Sequence, residues 1–266
     1  MKASSVWSVP PQNLFLAEDE VHVWCGALDL SESLIEKFMN SLSEDEQSRA
    51  NRFYFLRDKN RFIVARGMLR KILSFYLGGK PNTIQFQYSP YGKPSLHPYF
   101  NEHISPPKSS EIKFNISHSN AIALFGITKS RQIGIDVEYT KPLPDTDKVA
   151  ERFFGFQENL KYQQLPKEQK LTGFYHCWTR KEAFIKAIGE GLSYPLDQFE
   201  VSFLPNEKPR IKHIQNDKVQ GEAWSLKVLE PYPEYIGAVA VEGKSLRFIQ
   251  YKFQTGITNN LERRKG

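Results

Sequence analysis

The sequence predicts an α+β fold of two similar subdomains, each a small antiparallel sheet packed with a long helix. Three observations lead there. Short runs of alternating apolar residues recur along the chain, as half-buried strands require. Two stretches of helical spacing, one through Phe62, Met68, Leu69, Ile72 and Leu73 and one through Phe174, Trp178, Lys181, Ile185 and Ile188, are each stopped by glycines, Gly78-Gly79 and Gly189 with Gly191. Finally, Arg52-Phe53-Tyr54-Phe55, a long helix and an Ile84-led strand are echoed by Arg152-Phe153-Phe154-Gly155-Phe156, the Trp178 helix and the Phe199 strand. Duplication and chance both account for so few identities.

Val21, Val23, Cys25 and Ala27 alternate with polar residues and predict the first strand. Ser43 with Glu46 forms a capping-box pattern, and the apolar face that follows runs to Gly78, which predicts two helices in tandem. Ile84, Phe86 and Tyr88 alternate ahead of the turn Pro90-Tyr91-Gly92-Lys93-Pro94, and Asn101 to Ser110 reads as a surface loop. Ile112 to Ile116, Ala121 to Thr128 and Gln132 to Glu138 then predict an antiparallel meander. Pro142 and Pro144 interrupt the pattern, so the expected division is 1–140 for an N-terminal subdomain, 141–254 for a C-terminal one and 255–266 for a tail. After the Trp178 helix, Phe199 to Phe203, Ala223 to Val228, Ile236 to Val241 and Leu246 to Phe253 supply four further strands.

Composition narrows the function classes. With 266 residues, 40% of them apolar and 13% aromatic, the chain can bury a large core. No window approaches the run of about 18 apolar residues that a membrane span needs, and the N-terminus lacks an apolar signal core. Only Cys25 and Cys177 are present, too few for a disulfide framework or a zinc cluster, which predicts buried thiols and a cytoplasmic protein. The 36 basic and 30 acidic residues leave a net charge of +6, suited to a polyanionic ligand or an acidic protein partner. Part of that excess is the terminal Arg263-Arg264-Lys265, read as a solvated tail.

Two motifs carry chemistry. In Ile133-Gly134-Ile135-Asp136-Val137-Glu138 the two carboxylates stand at i and i+2 of a strand and therefore share one face. Unpaired, they repel each other, whereas a divalent cation turns the pair into a hard oxygen-ligand site. Gly134 would let a phosphate or a backbone approach closely. In Trp178-Thr179-Arg180-Lys181-Glu182-Ala183-Phe184-Ile185-Lys186, Glu182 and Lys186 lie at i, i+4 on one helical face. As an ordinary surface ion pair that spacing is worth about 0.3–0.5 kcal/mol.

Together, Ile-Gly-Ile-Asp-Val-Glu, a gap of some forty residues and Trp-x-x-Lys-Glu-x-x-x-Lys resemble the signature of 4'-phosphopantetheinyl transferases. Tyr91-Gly92-Lys93-Pro94, Phe114-Asn115-Ile116-Ser117-His118-Ser119, Arg152-Phe153-Phe154 and Gly189 to Leu196 resemble the surfactin-synthetase-activating branch. The resemblance implies transfer of the phosphopantetheine arm of coenzyme A to a serine of an acyl or peptidyl carrier protein, with release of 3',5'-ADP and coenzyme A seated in the cleft between the subdomains. It implies Mg2+, with Mn2+ as an alternative ion, held by Asp136, Glu138 and Glu182. Glu182 is then the base, acting directly or through a metal-bound water, and Lys186 the cation that stabilises the departing 3',5'-ADP. Lys181 would add a phosphate contact, and Arg61, Lys93, Ser117 and His118 would hold coenzyme A, with Arg49 carried over from a basic pair whose other member is Glu46 here. A monomer suffices, and no nucleic acid or membrane is expected as partner.

The rival from another class is a non-catalytic polyanion- or RNA-binding module using Arg52, Phe53, Tyr54 and Arg57. No glycine-aromatic RNP motif or zinc-finger spacing accompanies those residues. An amphipathic helix with snorkelling arginines explains them equally.

Overall fold

The structure is a computed structural model and describes residues 7–97, 111–215 and 217–255. The expected loop at Asn101–Ser110 and the tail beyond Thr255 lie outside the described residues. The described residues form two compact units: 7–130 with 248–255, and Arg131–Arg247.

In the first unit the chain runs through β1 (Glu20–Ala27), α1 (Glu32–Met39), α2 (Glu44–Ala50), α3 (Leu56–Leu77), β2 (Phe86–Tyr88), β3 (Pro94–Leu96), β4 (Ile112–Ser119) and β5 (Ile122–Lys129). The second unit continues with β6 (Ile133–Tyr139), α4 (Thr146–Phe153), α5 (Phe156–Gln163), α6 (Lys167–Ile188), β7 (Phe199–Val201), β8 (Ile211–Ile214), α7 (Lys218–Glu222), β9 (Trp224–Leu229) and β10 (Tyr235–Glu242). Then β11 (Arg247–Lys252) returns to the first sheet, whose order is β11-β1-β5-β4, while the second sheet is β6-β10-β9.

The echo in the sequence is thus an architectural repeat. Each unit runs strand, three helices, a short two-stranded ribbon and two sheet strands, the second adding α7 ahead of β9, and β1-β5-β4 repeats as β6-β10-β9. Both long helices span 22 residues and end on a left-handed glycine, Gly78 (φ 74°) and Gly189 (φ 83°), a conformation that glycine adopts without a Cβ penalty. The similar-looking segments themselves are not equivalent. Arg52–Phe55 lies between α2 and α3, not on a helix, with Tyr54 91% exposed, whereas Arg152–Phe156 spans the end of α4 and the start of α5.

Each long helix is buried because its unit's sheet needs a cover. Val64, Met68, Leu69, Ile72 and Leu73 of α3 pack with Trp24, Phe125 and Ile127 of β1 and β5. Phe174, Phe184 and Ile185 of α6 pack with Phe199, Val201, Ala238 and Ala240. Each large apolar side chain buried in this way contributes about 1.5–3 kcal/mol.

The expected meander is corrected at its third strand. Antiparallel pairing joins β4 to β5, but the other edge of β5 is taken by β1, in register Val21 with Thr128 through Ala27 with Ile122. No edge remains for β6, which pairs antiparallel with β10 instead. The units consequently divide at Arg131 and not after residue 140, and Pro142 and Pro144 lie within the second unit, between β6 and α4. Both cysteines are buried, and burial pushes the Cys25 thiol up to about 12. Among the described residues no helix is long and apolar enough to cross a membrane.

Candidate active site

The carboxylate strand and the Trp178 helix meet within the second unit. Ile133, Ile135 and Val137 are buried, and the alternate residues Gly134, Asp136 and Glu138 form the other face of β6. Register with β10 sets Asp136 opposite Ala238 and Glu138 opposite Ile236. Gly134 is what lets helix and strand touch. A Cβ there would lie 2.0 Å from the Ala183 carbonyl oxygen and 2.2 Å from the Ala187 nitrogen, so the backbone of α6 occupies the space a side chain would take. The turn of helix pressed against Gly134 is the one that bears Glu182 and Lys186.

That contact gathers four of the expected side chains. Lys186 Nζ donates to Asp136 Oδ1 at 2.6 Å and stands 4.0 Å from Glu182 Oε2. The Asp136 side chain is 3% exposed, that of Glu182 12% and that of Lys186 29%, so the charges interact through a partly dehydrated medium. Burial drives the Glu182 carboxyl up to about 7; Lys186 pulls against that shift, and the negative charges of Asp136 and Glu138 add to it. Lys186 shows the converse balance. Burial opposes its charge, yet Asp136, with Glu182 and Glu138, holds its pKa above the ordinary lysine value. A carboxyl near 7 can exist in both protonation states at neutral pH, as a general base must.

Among the described residues, no three His, Cys, Asp or Glu side chains converge as ligands of one ion. Asp136 is paired with an ammonium group instead. The donor set nevertheless fits a hard divalent cation: two carboxylates from one strand face and one from the facing helix turn, whose negative charge already attracts the Lys186 cation.

Lys181 requires a correction. Its side chain is fully buried, with Nζ 2.7 Å from Glu158 Oε2 and donating to the carbonyls of Leu196 at 2.7 Å and Phe199 at 2.6 Å. All three ammonium donors are used inside the core, so Lys181 does not serve as a phosphate contact. Adjacent residues on a helix diverge by about 100°, which separates Lys181 from Glu182 despite their adjacency in sequence. Sequence reasoning also passed over Glu158, although its place three residues after Gly155 is a capping pattern.

The remaining expected residues belong to the first unit. Gly92 (φ 81°) shapes the turn that carries Lys93, whose pKa falls to about 8 through burial and the neighbouring Lys113 charge. Ser117 and His118 close β4, the serine buried and the histidine exposed. Arg61 grips Asp29 with two bonds of 2.6 and 2.7 Å and reaches Asn120 Oδ1 at 3.1 Å. Arg49 is exposed and lies over the Phe62 ring at 5.3 Å.

Residues 132–240 match the 4'-phosphopantetheinyl transferase superfamily, and residues 30–127 match the family described as 4'-phosphopantetheinyl transferase, N-terminal. The chain is 41% identical over 237 residues to the 4'-phosphopantetheinyl transferase HetI of Nostoc sp., covering 89% of this chain and 94% of that protein. It is 34% identical over 172 residues to the 4'-phosphopantetheinyl transferase Sfp of Bacillus subtilis, covering 65% of this chain and 71% of that protein. The chain therefore belongs to the 4'-phosphopantetheinyl transferase superfamily.

Proposed function

We propose that this protein transfers the 4'-phosphopantetheine arm of coenzyme A to a serine of an apo acyl or peptidyl carrier protein, releasing 3',5'-ADP. The observation that carries the reading is the partly buried face on which Glu182, with its pKa near 7, stands beside Asp136, Glu138 and Lys186. The serine oxygen attacks the phosphorus that bears the pantetheine arm, and the bond from that phosphorus to the oxygen of the leaving nucleotide breaks. Glu182 takes the serine proton. Lys186, one helical turn on, meets the negative charge that grows on the departing 3',5'-ADP, the point at which phosphoryl transfer needs a cation most.

Asp136, Glu138 and Glu182 would hold Mg2+, or Mn2+ in its place, and the bound ion would neutralise phosphate charge during transfer. With an ion bound, Asp136 would act as its ligand, and the Lys186 ammonium that now neutralises Asp136 would serve phosphate. Lys93, Ser117, His118 and Arg61 of the first unit supply phosphate contacts to coenzyme A, with Arg49 as a further basic group. Burial and the neighbouring Lys113 cation disfavour the Lys93 charge, and a bound anion would relieve both effects, which supports an anionic ligand there. The basic chain suits a carrier whose surface beside the modified serine is acidic.

The direct test is mass spectrometry of a panel of apo carrier proteins incubated with the protein, coenzyme A and Mg2+. A carrier should gain the mass of one phosphopantetheine group, and only when the protein is present. A folded protein that modified no member of a broad panel would overturn the assignment.

A further inference from the structure

We infer that Glu158 is a positioning residue for the transfer reaction: paired with Lys181, it sets the rotation of α6 that presents Glu182 and Lys186 to β6. The inference rests on the transferase reading above.

Glu158 and Lys181 are both fully buried and lie 2.7 Å apart. Glu158 also accepts from the backbone nitrogens of Gly155 at 2.7 Å and Val201 at 2.5 Å, while Lys181 donates to the carbonyls of Leu196 and Phe199 and lies under the Phe199 ring at 4.2 Å. Five directed bonds thus tie the start of α5, the middle of α6 and the two ends of β7 to one point. A buried ion pair is a poor source of stability, because apolar side chains of similar size do as well or better. What the directed bonds supply is a single rotation of the helix about its axis. Glu182 is the next residue along that helix, and the backbones of α6 and β6 already touch at Gly134. Any roll of α6 therefore displaces Glu182 relative to Asp136 with no flexible layer to absorb it.

The first unit contains the same device without a catalytic neighbour. Glu46, third residue of α2 as Glu158 is of α5, is 1% exposed and accepts from Arg70 Nε at 2.6 Å and from Arg66 Nε at 2.6 Å. Arg70 donates to the carbonyls of Pro81 and Ile84 beyond its helix and lies at the Phe86 ring, as Lys181 does with Leu196, Phe199 and the Phe199 ring. Arg70 and Lys181 each stand fourteen residues after the first residue of their helices and eight before the capping glycine. The residue after Arg70 is Lys71, not a carboxylate. The Glu46 pair therefore reports what the device contributes to folding alone, and the Glu158 pair what it adds for the reaction.

The experiment compares Glu158→Gln, Glu46→Gln and the double variant Glu158→Gln with Lys181→Met in the carrier-modification assay, alongside thermal melts. Both single variants should melt earlier, since each leaves a buried cation short of its anion. Glu158→Gln alone should lower kcat by about ten-fold or more, the size expected when reacting groups are misplaced by a fraction of an ångström, with KM for coenzyme A within about two-fold. The double variant removes the orphaned ammonium, so it should regain thermal stability while kcat stays low; it decides the matter if Glu158→Gln fails to fold. A folded Glu158→Gln or double variant with kcat within about two-fold of the unmutated protein would overturn the inference, as would an equal loss in Glu46→Gln. Absence of transfer by the unmutated protein would refute the transferase reading instead.

Discussion

Asp136→Ala should lower the transfer rate by about 10²–10³-fold or more while leaving the protein folded, because it removes one preorganised charge from the reacting face. Two unpaired carboxylates at i and i+2 of a strand repel each other, so removing one would relieve that repulsion. The structure reverses that sign. Asp136 is paired with Lys186 at 2.6 Å, and the substitution removes that close partner while Glu182 stands 4.0 Å away. Lys186 is 29% exposed and can hydrate, so the loss should resemble that of one charged hydrogen bond, about 1.5–3 kcal/mol. For a chain of this size, that lowers Tm by roughly 3–12 °C. Calorimetric melts and carrier-modification rates check both halves, and near-normal turnover in the variant would exclude Asp136 from the reaction.

Gly134→Ala should be worse for the fold than any of the carboxylate changes. The added Cβ would fall 2.0 Å from the Ala183 carbonyl oxygen, 2.2 Å from the Ala187 nitrogen and 2.8 Å from the Lys186 carbonyl carbon. All three are backbone atoms, so no side chain can swing aside. Strand and helix must separate, and overpacking of this kind costs about 3 kcal/mol or more, which corresponds to a fall in Tm of roughly 6–12 °C. The separation also moves Glu182 and Lys186 away from Asp136, and a displacement of about an ångström costs about 10²-fold in rate. Thermal melts with parallel rate measurements test this. A variant that melted and turned over normally would show that the Gly134 contact does not hold the site together.

The local features of this chain were legible because their causes are local. The Ser43–Glu46 capping box forms as its spacing requires, with Ser43 N donating to Glu46 Oε2 at 3.1 Å. The alternation through Ile133–Glu138 placed both carboxylates on one face, and the glycines at 78 and 189 ended the long helices. Partnership between distant segments was not legible. Nothing in residues 112–138 says that β1 occupies the edge of β5 and sends β6 to β10, since that competition is decided by strands a hundred residues apart. Helices α1, α4 and α5 were missed because each is only eight residues long, shorter than the window of about 11–18 residues over which helical spacing is read.

The candidate site divides in the same way. Residue types and spacing singled out Asp136, Glu138, Glu182 and Lys186, which the fold gathers. Lys181 looked equivalent to Lys186 in the motif, yet its azimuth on α6 turns it into the core toward Glu158. The Lys186–Asp136 pair, which links helix to strand across fifty positions of sequence, could come only from the packing at Gly134.

The central claim is that Asp136, Glu138 and Glu182 form one cation-binding face, and calorimetric titration with Mg2+ at pH 6 and pH 8 tests it most directly. Burial holds Glu182 near 7, so at pH 6 the carboxyl is mostly protonated and a metal must displace that proton, while at pH 8 it is already ionised. With coenzyme A present at the same concentration throughout, Mg2+ should bind about ten-fold more tightly at pH 8 than at pH 6, a difference that Glu182→Gln should erase while weakening binding at both. Equal Mg2+ affinity for Glu182→Gln and the unmutated protein at both pH values would contradict the account.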